Sequence, residues 1–174
     1  MAKLKRAVAH RYIERPYTRV SKYRSKQYVR AKPVNKVVKF EMGNLTKKFE
    51  YTVILRSKSD LQIRHNALES ARLTSNRLLE SKLGRPGFKL KLRVYPHHIL
   101  RENPLAAGAG ADRMSTGMKK SFGKPIGLAA QVRIGQAIIE AHVDAVNLET
   151  AKKAVSRAKY KIPCSCKLEI IKNV

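Results

Sequence analysis

The 174-residue sequence has few acidic residues, and this scarcity limits what the protein can do. Only 12 Asp and Glu residues accompany 38 Lys and Arg residues, so the formal net charge is +26. A metal-dependent nuclease centre needs clustered carboxylates, which a chain this poor in acids does not favour. Because so large a charge repels itself in a compact state, the composition predicts a polyanionic partner: RNA, DNA or an anionic membrane surface.

Cysteines and long apolar runs are also scarce. Cys164 and Cys166 are the two cysteines, too few for a disulfide framework, and this favours a reducing, intracellular setting. Their C-x-C spacing differs from the C-x₂₋₄-C of structural zinc sites, so we expect two ordinary thiols rather than a zinc site completed by His97 and His98. No apolar run approaches the roughly 20 residues that span a bilayer, and the N terminus lacks the apolar region of a secretory signal. We therefore expect no metal, no cofactor and no membrane partner.

The remaining composition predicts a folded domain, since 43% of the residues are hydrophobic. A capping box at Ser59–Gln62 predicts a helix that runs to about Leu83 and ends at Gly84, and Asn147 is predicted to cap a second helix. Alternating apolar residues predict strands at 37–40, 49–55, 88–94, 129–134, 136–143 and 167–171. Together these elements predict an α+β domain over residues 37–174, with a mixed sheet and two helices on one side of it.

Residues 1–36 are rich in cations and in tyrosine, with Glu14 as the single acid. A solvated, disordered tail is one interpretation, because charge blocks are often tails. Tyrosines among cations favour RNA instead, because the rings stack on exposed bases while the cations pair with phosphates. We expect an extended segment that orders on its partner. The residues predicted to bind RNA here are Arg6, Arg11, Arg15, Tyr17, Arg19, Tyr23, Arg24 and Lys26.

The predicted strand at 88–94 has one apolar and one cationic side. Lys89, Lys91 and Arg93 share the cationic side, which is either a solvated strand face or, alongside the basic segment, a second RNA-facing surface. His97 and His98 follow this strand and are predicted to be structural or to face RNA rather than to be catalytic. No set of Ser, His, Asp or Cys residues indicates a nucleophilic centre.

A long basic loop is predicted at residues 101–127. Residues 108–127 contain five of the nine glycines, which let a backbone approach a ligand closely, and they also contain Arg113, Lys119, Lys120 and Lys124. The loop includes a Gly-x-Gly sequence, but the third glycine of a dinucleotide fingerprint and its following helix are missing. A loop of this length in a compact domain is usually functional or disordered.

The loop and several other stretches resemble one family of large-subunit ribosomal proteins, numbered sixteen in bacteria and ten-e in archaea and eukaryotes. The resemblance covers nearly the whole chain, and the loop motif is its most specific part. The matching stretches are 15–17, 69–72, 93–98, 109–118, 122–125, 132–136 and 157–163. The sequence is most similar to archaeal members, since it lacks the longer C-terminal extension of the eukaryotic ones.

This resemblance implies a fold and a position. The fold is a two-layer α/β sandwich of the hammerhead type. The position is the cleft side of the large subunit, below the central protuberance, on ribosomal RNA and beside the aminoacyl-tRNA path. The loop would reach toward the peptidyl transferase centre and the acceptor ends of aminoacyl-tRNA and peptidyl-tRNA. The loop residues that match the family motif are Gly110, Asp112, Arg113, Gly117, Met118, Gly123 and Lys124, and Lys119 and Lys120 add cations between them.

The sequence therefore favours a structural ribosomal protein of the cytoplasm that contacts ribosomal RNA, tRNA and neighbouring ribosomal proteins, without catalysis. Two other classes stay open at this stage. A free RNA-binding assembly factor or RNA-modifying enzyme would need a cofactor pocket, which no motif indicates. A membrane-surface protein would need a basic helix with a bulky apolar face, and the second predicted helix has mostly alanines there.

Overall fold

The computed structural model describes residues 11–18, 23, 32–102 and 124–173. Two antiparallel sheets and two helices make up this part of the chain. The elements, in chain order, are β1 Glu41–Gly43, β2 Tyr51–Ser57, β3 Leu61–Arg64, α1 His65–Leu83, β4 Phe88–Leu92, β5 His98–Glu102, β6 Lys124–Val132, β7 Ala137–Val143, α2 Leu148–Lys159 and β8 Cys166–Lys172.

The larger sheet has five strands in the order β1-β4-β7-β2-β8. Its register places Val53 and Leu90 on either side of Ala141, and all three side chains are fully buried. Because alternate residues of a strand face opposite sides, this row defines the core face and leaves Lys89, Lys91 and Glu140 on the other face. The alternation predicted for residues 88–94 is therefore confirmed.

Both helices cover the core face of the larger sheet and pack against each other. Helix α2 buries small side chains, among them Ala151, Ala154 and Ala158, so it can lie close to the strands beneath it. Helix α1 buries Leu68 and Leu79. It ends at Gly84 as predicted, with φ at 67°, a backbone angle that glycine adopts without a Cβ clash.

The smaller sheet has three strands in the order β3-β6-β5. Ile63, Ala130 and Val132 share one of its faces and join the same core as the larger sheet. Its other face is polar, and the functional site described below is built on it. The chain passes from β6 in this sheet to β7 in the larger one through a turn at Gly135, where the sequence predicts a bulge or bend within one sheet.

The α+β class and the two helices are confirmed, but two features of the predicted sheet are wrong. All strand pairs are antiparallel rather than mixed, and they form two sheets rather than one. Residues 37–40 are not a strand; Val37 instead turns into the core, and the first described strand begins at Glu41.

The predicted capping box at Ser59–Gln62 is also wrong. Residues 61–64 form a strand because they pair with β6, and α1 begins at His65 with no side-chain cap. Gln62 does not bond back to the start of a helix, because its Nε2 donates to the Tyr12 carbonyl at 2.9 Å. Tertiary pairing therefore overrides the local capping signal.

Strands also extend into both ends of the predicted loop. Arg101 and Glu102 lie in β5, while residues 124–127 lie in β6, so the ends of the loop form an antiparallel hairpin. A register shift between Leu100 and Arg101 accommodates this pairing opposite Pro125. Residues 103–123 lie outside the described residues.

Candidate nucleic-acid interface

The polar face of the smaller sheet brings together residues that are far apart in sequence. Arg64 and His98 both lie directly opposite Ala129, one on each side, and Gln62 lies opposite Gln131. Since opposed residues in antiparallel strands point to the same side, these four polar side chains share one face. The short strand β3 therefore contributes two residues, Gln62 and Arg64, to this polar face.

Residues 11–18 of the basic N-terminal segment lie on this polar face. Both backbone polar groups of Tyr17 form hydrogen bonds with β5. Its N–H donates to His98 Nδ1 at 2.8 Å, and its carbonyl accepts from the Ile99 N–H at 2.8 Å. Further back, the Tyr12 carbonyl accepts a hydrogen bond from the Gln62 amide. This part of the segment is thus attached to two strands, β3 and β5.

Side-chain contacts strengthen the attachment at Tyr17. The guanidinium carbon of Arg101 lies 3.5 Å from the centre of the Tyr17 ring, a close cation–π contact. His98 Nε2 lies 3.3 Å from a carboxylate oxygen of Glu14. Tyr17 and His98, both predicted to face RNA, are therefore engaged within the protein, and His98 is 3% exposed. They position the segment, and any RNA contact of their own stays a prediction.

Arg64 is a cation on this face whose hydrogen-bond donors are not all satisfied within the described structure. Its Nε and Nη1 atoms are buried and have no hydrogen-bond partner. Burial lowers the pKa of this guanidinium, and the charge of Glu102 only partly opposes that effect. The side chain lies at the base of the hairpin, because a Cβ built on Gly127 would be 3.9 Å from Arg64 Nη2.

A guanidinium with two buried donor atoms that lack hydrogen-bond partners is unfavourable in the free protein, and an anion would relieve the cost. Gln131 shares the polar face and has a buried Nε2 donor that is also without a partner. Donors of this kind suit phosphate, and arginine can bind it through two parallel hydrogen bonds. Sequence analysis missed Arg64 because residues 61–64 are predicted as helix, and it did not single out Gln131, which lies in a predicted strand. If residues 61–64 are predicted as a strand instead, Gln62 and Arg64 fall on one polar side of it.

The predicted cationic strand face is largely compensated within the larger sheet. Lys91 pairs with Glu41 at 2.5 Å, and Arg93 pairs with Glu140 at 3.3 Å. Along the same face Arg56 pairs with Glu169. Several of the chain's few acids are thus placed among these cations. This pairing weakens the electrostatic argument for RNA at Lys91 and Arg93, while Lys89 has no ion pair among the described residues.

The remaining predicted site residues have simpler surroundings. Arg11, Arg15 and His97 are exposed, and Tyr23 is 65% exposed. Lys124 is the first residue of β6. The other predicted residues lie outside the described part of the chain: Arg6, Arg19, Arg24, Lys26, Gly110, Asp112, Arg113, Gly117, Met118, Lys119, Lys120 and Gly123.

Neither a metal cluster nor a membrane span is found in the described residues. No group of three or more His, Cys, Asp or Glu side chains in these ranges could hold a metal ion. His98 is the first residue of β5 in the smaller sheet and His97 precedes it, whereas Cys166 is the first residue of β8 in the larger sheet and Cys164 lies just before it. None of the helices in the described ranges is long and apolar enough to cross a membrane.

Buried histidines make stability depend on pH. Burial lowers the pKa of His98 from 6.5, and the Glu14 charge opposes this shift while Arg101 and His97 reinforce it. Burial likewise lowers the pKa values of His65 and His142. The unfolded chain therefore binds more protons than the folded chain just below pH 6.5, and the free energy of unfolding falls as pH decreases in that window.

We expect urea unfolding to show full stability above about pH 6.5 and a progressive loss below it. The variant His98→Gln should reduce the slope of stability against pH, because it removes one of the three imidazoles whose pKa is lowered by burial. His97→Gln changes an exposed neighbour and should keep the slope of the parent chain. A His98→Gln variant with an unchanged slope would contradict the assignment.

Comparison with known families defines the class of this chain as a ribosomal protein. The family model described as "Ribosomal protein L16p/L10e" matches residues 15–169, and the chain belongs to this family. It is of the archaeal type, a structural component of the large subunit of cytoplasmic ribosomes rather than an enzyme.

Archaeal relatives named "Large ribosomal subunit protein uL16" align with almost the whole chain. The protein of Methanococcus maripaludis is 50% identical over 171 residues, which cover 98% of this chain and 95% of the relative. That of Methanococcus aeolicus is 47% identical and covers 98% and 99%. That of Archaeoglobus fulgidus is 44% identical and covers 94% and 90%.

Proposed function

We propose that this chain binds large-subunit ribosomal RNA through the polar face of the smaller sheet and the basic segment attached to it. The observation that carries the proposal is Arg64, whose buried Nε and Nη1 have no partner in the described structure. RNA phosphate supplies the missing anion, and it does so without requiring a particular base sequence. The exposed Arg11 and Arg15 add cations along the same segment.

The family resemblance supports a finer position, near the A site and below the central protuberance. Strands β5 and β6 form a paired base for the glycine-rich loop, and Arg64 lies beside that base. We propose that RNA bound at Arg64 holds the base of the hairpin in place. The loop, with Arg113 and Lys124, then reaches toward the peptidyl transferase centre and the ends of the tRNAs. Neighbouring ribosomal proteins would complete its surroundings, while the chemistry belongs to the RNA.

The test is to replace Arg64 with glutamine and to measure binding of the full-length protein to large-subunit ribosomal RNA over a series of salt concentrations. Loss of one phosphate contact should lower affinity about tenfold and reduce the slope of log affinity against log salt by about 0.7–0.9. The midpoint of thermal unfolding of the free protein should stay unchanged or rise, because the variant removes an uncompensated buried charge.

Arg77→Gln is the matched control. Arg77 lies on α1, the helix that follows Arg64; it is exposed and has no ion pair in the described structure, so this variant should keep the affinity and salt slope of the parent chain. Equal losses in the two variants would show that only net charge matters. Unchanged binding by Arg64→Gln would remove Arg64 from the interface.

A further inference from the structure

The two cysteines form a pair of thiols in direct contact. Cys166 is the first residue of β8 and lies opposite Ser57 of β2, while Cys164 precedes it in the connection from α2. The two Sγ atoms are 3.5 Å apart, and Ser57 Oγ is 3.6 Å from Cys164 Sγ. Both thiols are free. The RNA-binding surface proposed above includes neither of them.

The two thiols differ in access. Cys166 is 5% exposed and belongs to the hydrophobic core, whereas Cys164 is only partly buried. Cys164 lines an open cavity of about 800 Å³, whose other walls include Arg11, Lys159 and Tyr160. A small solute can therefore approach Cys164 from the cavity, while Cys166 is approached from the Cys164 side.

The two thiols also differ in acidity. Hydrogen bonding between Cys164 Sγ and the Cys166 thiol, and to a lesser extent between Cys164 Sγ and the Ser57 hydroxyl, lowers the pKa of Cys164 to about 7. The same contact, together with burial, raises the pKa of Cys166. Near pH 7 a substantial fraction of Cys164 is therefore thiolate, while Cys166 keeps its proton. A thiolate is the nucleophilic form of cysteine, and a neighbouring thiol can resolve its oxidised product.

We propose that Cys164 and Cys166 are an oxidisable dithiol that a hydroperoxide converts into an intrachain disulfide. In the first step the Cys164 thiolate attacks the peroxide O–O bond. A sulfur–oxygen bond forms while the O–O bond breaks, and the sulfur loses two electrons. The other peroxide oxygen takes up a proton and leaves as an alcohol, or as water from hydrogen peroxide. In the second step the Cys166 sulfur attacks the sulfenic sulfur; the S–S bond forms, the S–O bond breaks, and hydroxide leaves with the Cys166 proton as water.

The geometry favours the second step. The sulfur atoms must approach from 3.5 Å to about 2.0 Å, a change confined to the short connection before β8. Because the two cysteines are separated by a single residue, the disulfide closes a very small ring and adds little chain constraint. The expected product is a local, reducible bond that a thiol reductant reverses.

The experiment exposes the reduced full-length protein, and separately the intact large subunit that contains it, to hydrogen peroxide near pH 7. Free thiols are then blocked, and the peptide that contains both cysteines is weighed with and without a thiol reductant. We expect a product lighter by two hydrogen atoms that returns to the dithiol on reduction. The same product in both samples would show that the cavity remains accessible in the subunit.

Single-cysteine variants separate the two roles. Cys166→Ser should accumulate a sulfenic acid at Cys164 that dimedone traps, since no second thiol resolves it. Cys164→Ser should be oxidised at Cys166 at least about fivefold more slowly, as expected for a thiol with a smaller thiolate fraction. Serine is close to cysteine in size, and the circular dichroism spectrum of each variant confirms that it is folded.

Three results would overturn the proposal. The first is the absence of the intrachain disulfide from the isolated protein under conditions that oxidise a model thiol. The second is equal reactivity of the two single-cysteine variants. The third is disulfide formation only between chains. None of these results bears on RNA binding through Arg64, so the two proposals fail independently.

Discussion

Replacing Phe88 with alanine is expected to lower the free energy of unfolding by about 3–5 kcal/mol. Phe88 is the largest fully buried side chain in the part of the chain that the structure describes; it is 1% exposed and lies at the start of β4 opposite Val143. Removing the ring loses apolar burial and leaves a cavity. The sheet and the helices around this cavity cannot move inward to fill it, because both layers consist of regular elements. The measurement is urea unfolding of the isolated chain.

The matched control is Val38→Ala. Val38 is 80% exposed, so its truncation should change the free energy of unfolding by less than about 0.5 kcal/mol. A small effect of Phe88→Ala, comparable to that of Val38→Ala, would contradict the central place of Phe88 in the core. An altered dependence on urea concentration would instead indicate a change in the unfolded state or a loss of two-state behaviour.

Replacing Gly43 with alanine should be destabilising by about 3 kcal/mol or more, through a backbone clash and conformational strain. Gly43 has a φ of 88°, and a Cβ at this position would lie 2.1 Å from the Phe88 carbonyl oxygen. That oxygen also accepts the hydrogen bond from the Asn44 N–H at 2.8 Å, so it cannot move without disturbing the turn. The expected result is a large drop in the unfolding midpoint, together with loss of the β1–β4 pairing.

Gly135→Ala separates the clash from the strain. Gly135 has a similar φ of 78°, but nothing lies within 4 Å of the position that its Cβ would occupy. This variant should therefore lower the free energy of unfolding only by the cost of the backbone conformation, about 1–2 kcal/mol. If the two glycine variants were equally stable, the contact between Gly43 and the Phe88 carbonyl would not exist in solution.

The distribution of the few acids affects how the net charge acts on RNA. Glu41, Glu140 and Glu169 lie on the outer face of the larger sheet and pair with cations there. The polar face of the smaller sheet has a different balance, since Nε and Nη1 of Arg64 have no hydrogen-bond partner in the described structure and the basic segment lies across the face. The charge that favours a polyanion is therefore unequally distributed between the two sheets.

Much of this protein could be predicted from the sequence because the signals are local. The alternation from Phe88 to Leu92 requires one buried and one polar strand face, and the structure has both. The end of α1 at Gly84 follows from the freedom of glycine at positive φ. The net charge predicts a polyanionic partner, and the motifs of the loop and its flanks indicate the family that the family model confirms.

Other features were decided only by contacts between distant residues. Leu61 and Ile63 are apolar in a pattern that suits either a helix or a strand, and pairing with Val132 and neighbouring β6 residues selects the strand. The local sequence gives no acidic partner for Lys91 or Arg93. In the structure, Glu41 and Glu140 from other strands form ion pairs with them.

The candidate site has the same origin. Arg64, Gln131 and His98 come from three strands, and their common face exists only once β6 lies between β3 and β5. Residue composition and spacing therefore determined the strand and helix patterns that local periodicity can encode, and the sign of the charge. Strand pairing decided which cations form ion pairs and that Arg64 keeps buried donor atoms without a hydrogen-bond partner in the described structure, because both depend on neighbours in space rather than along the chain.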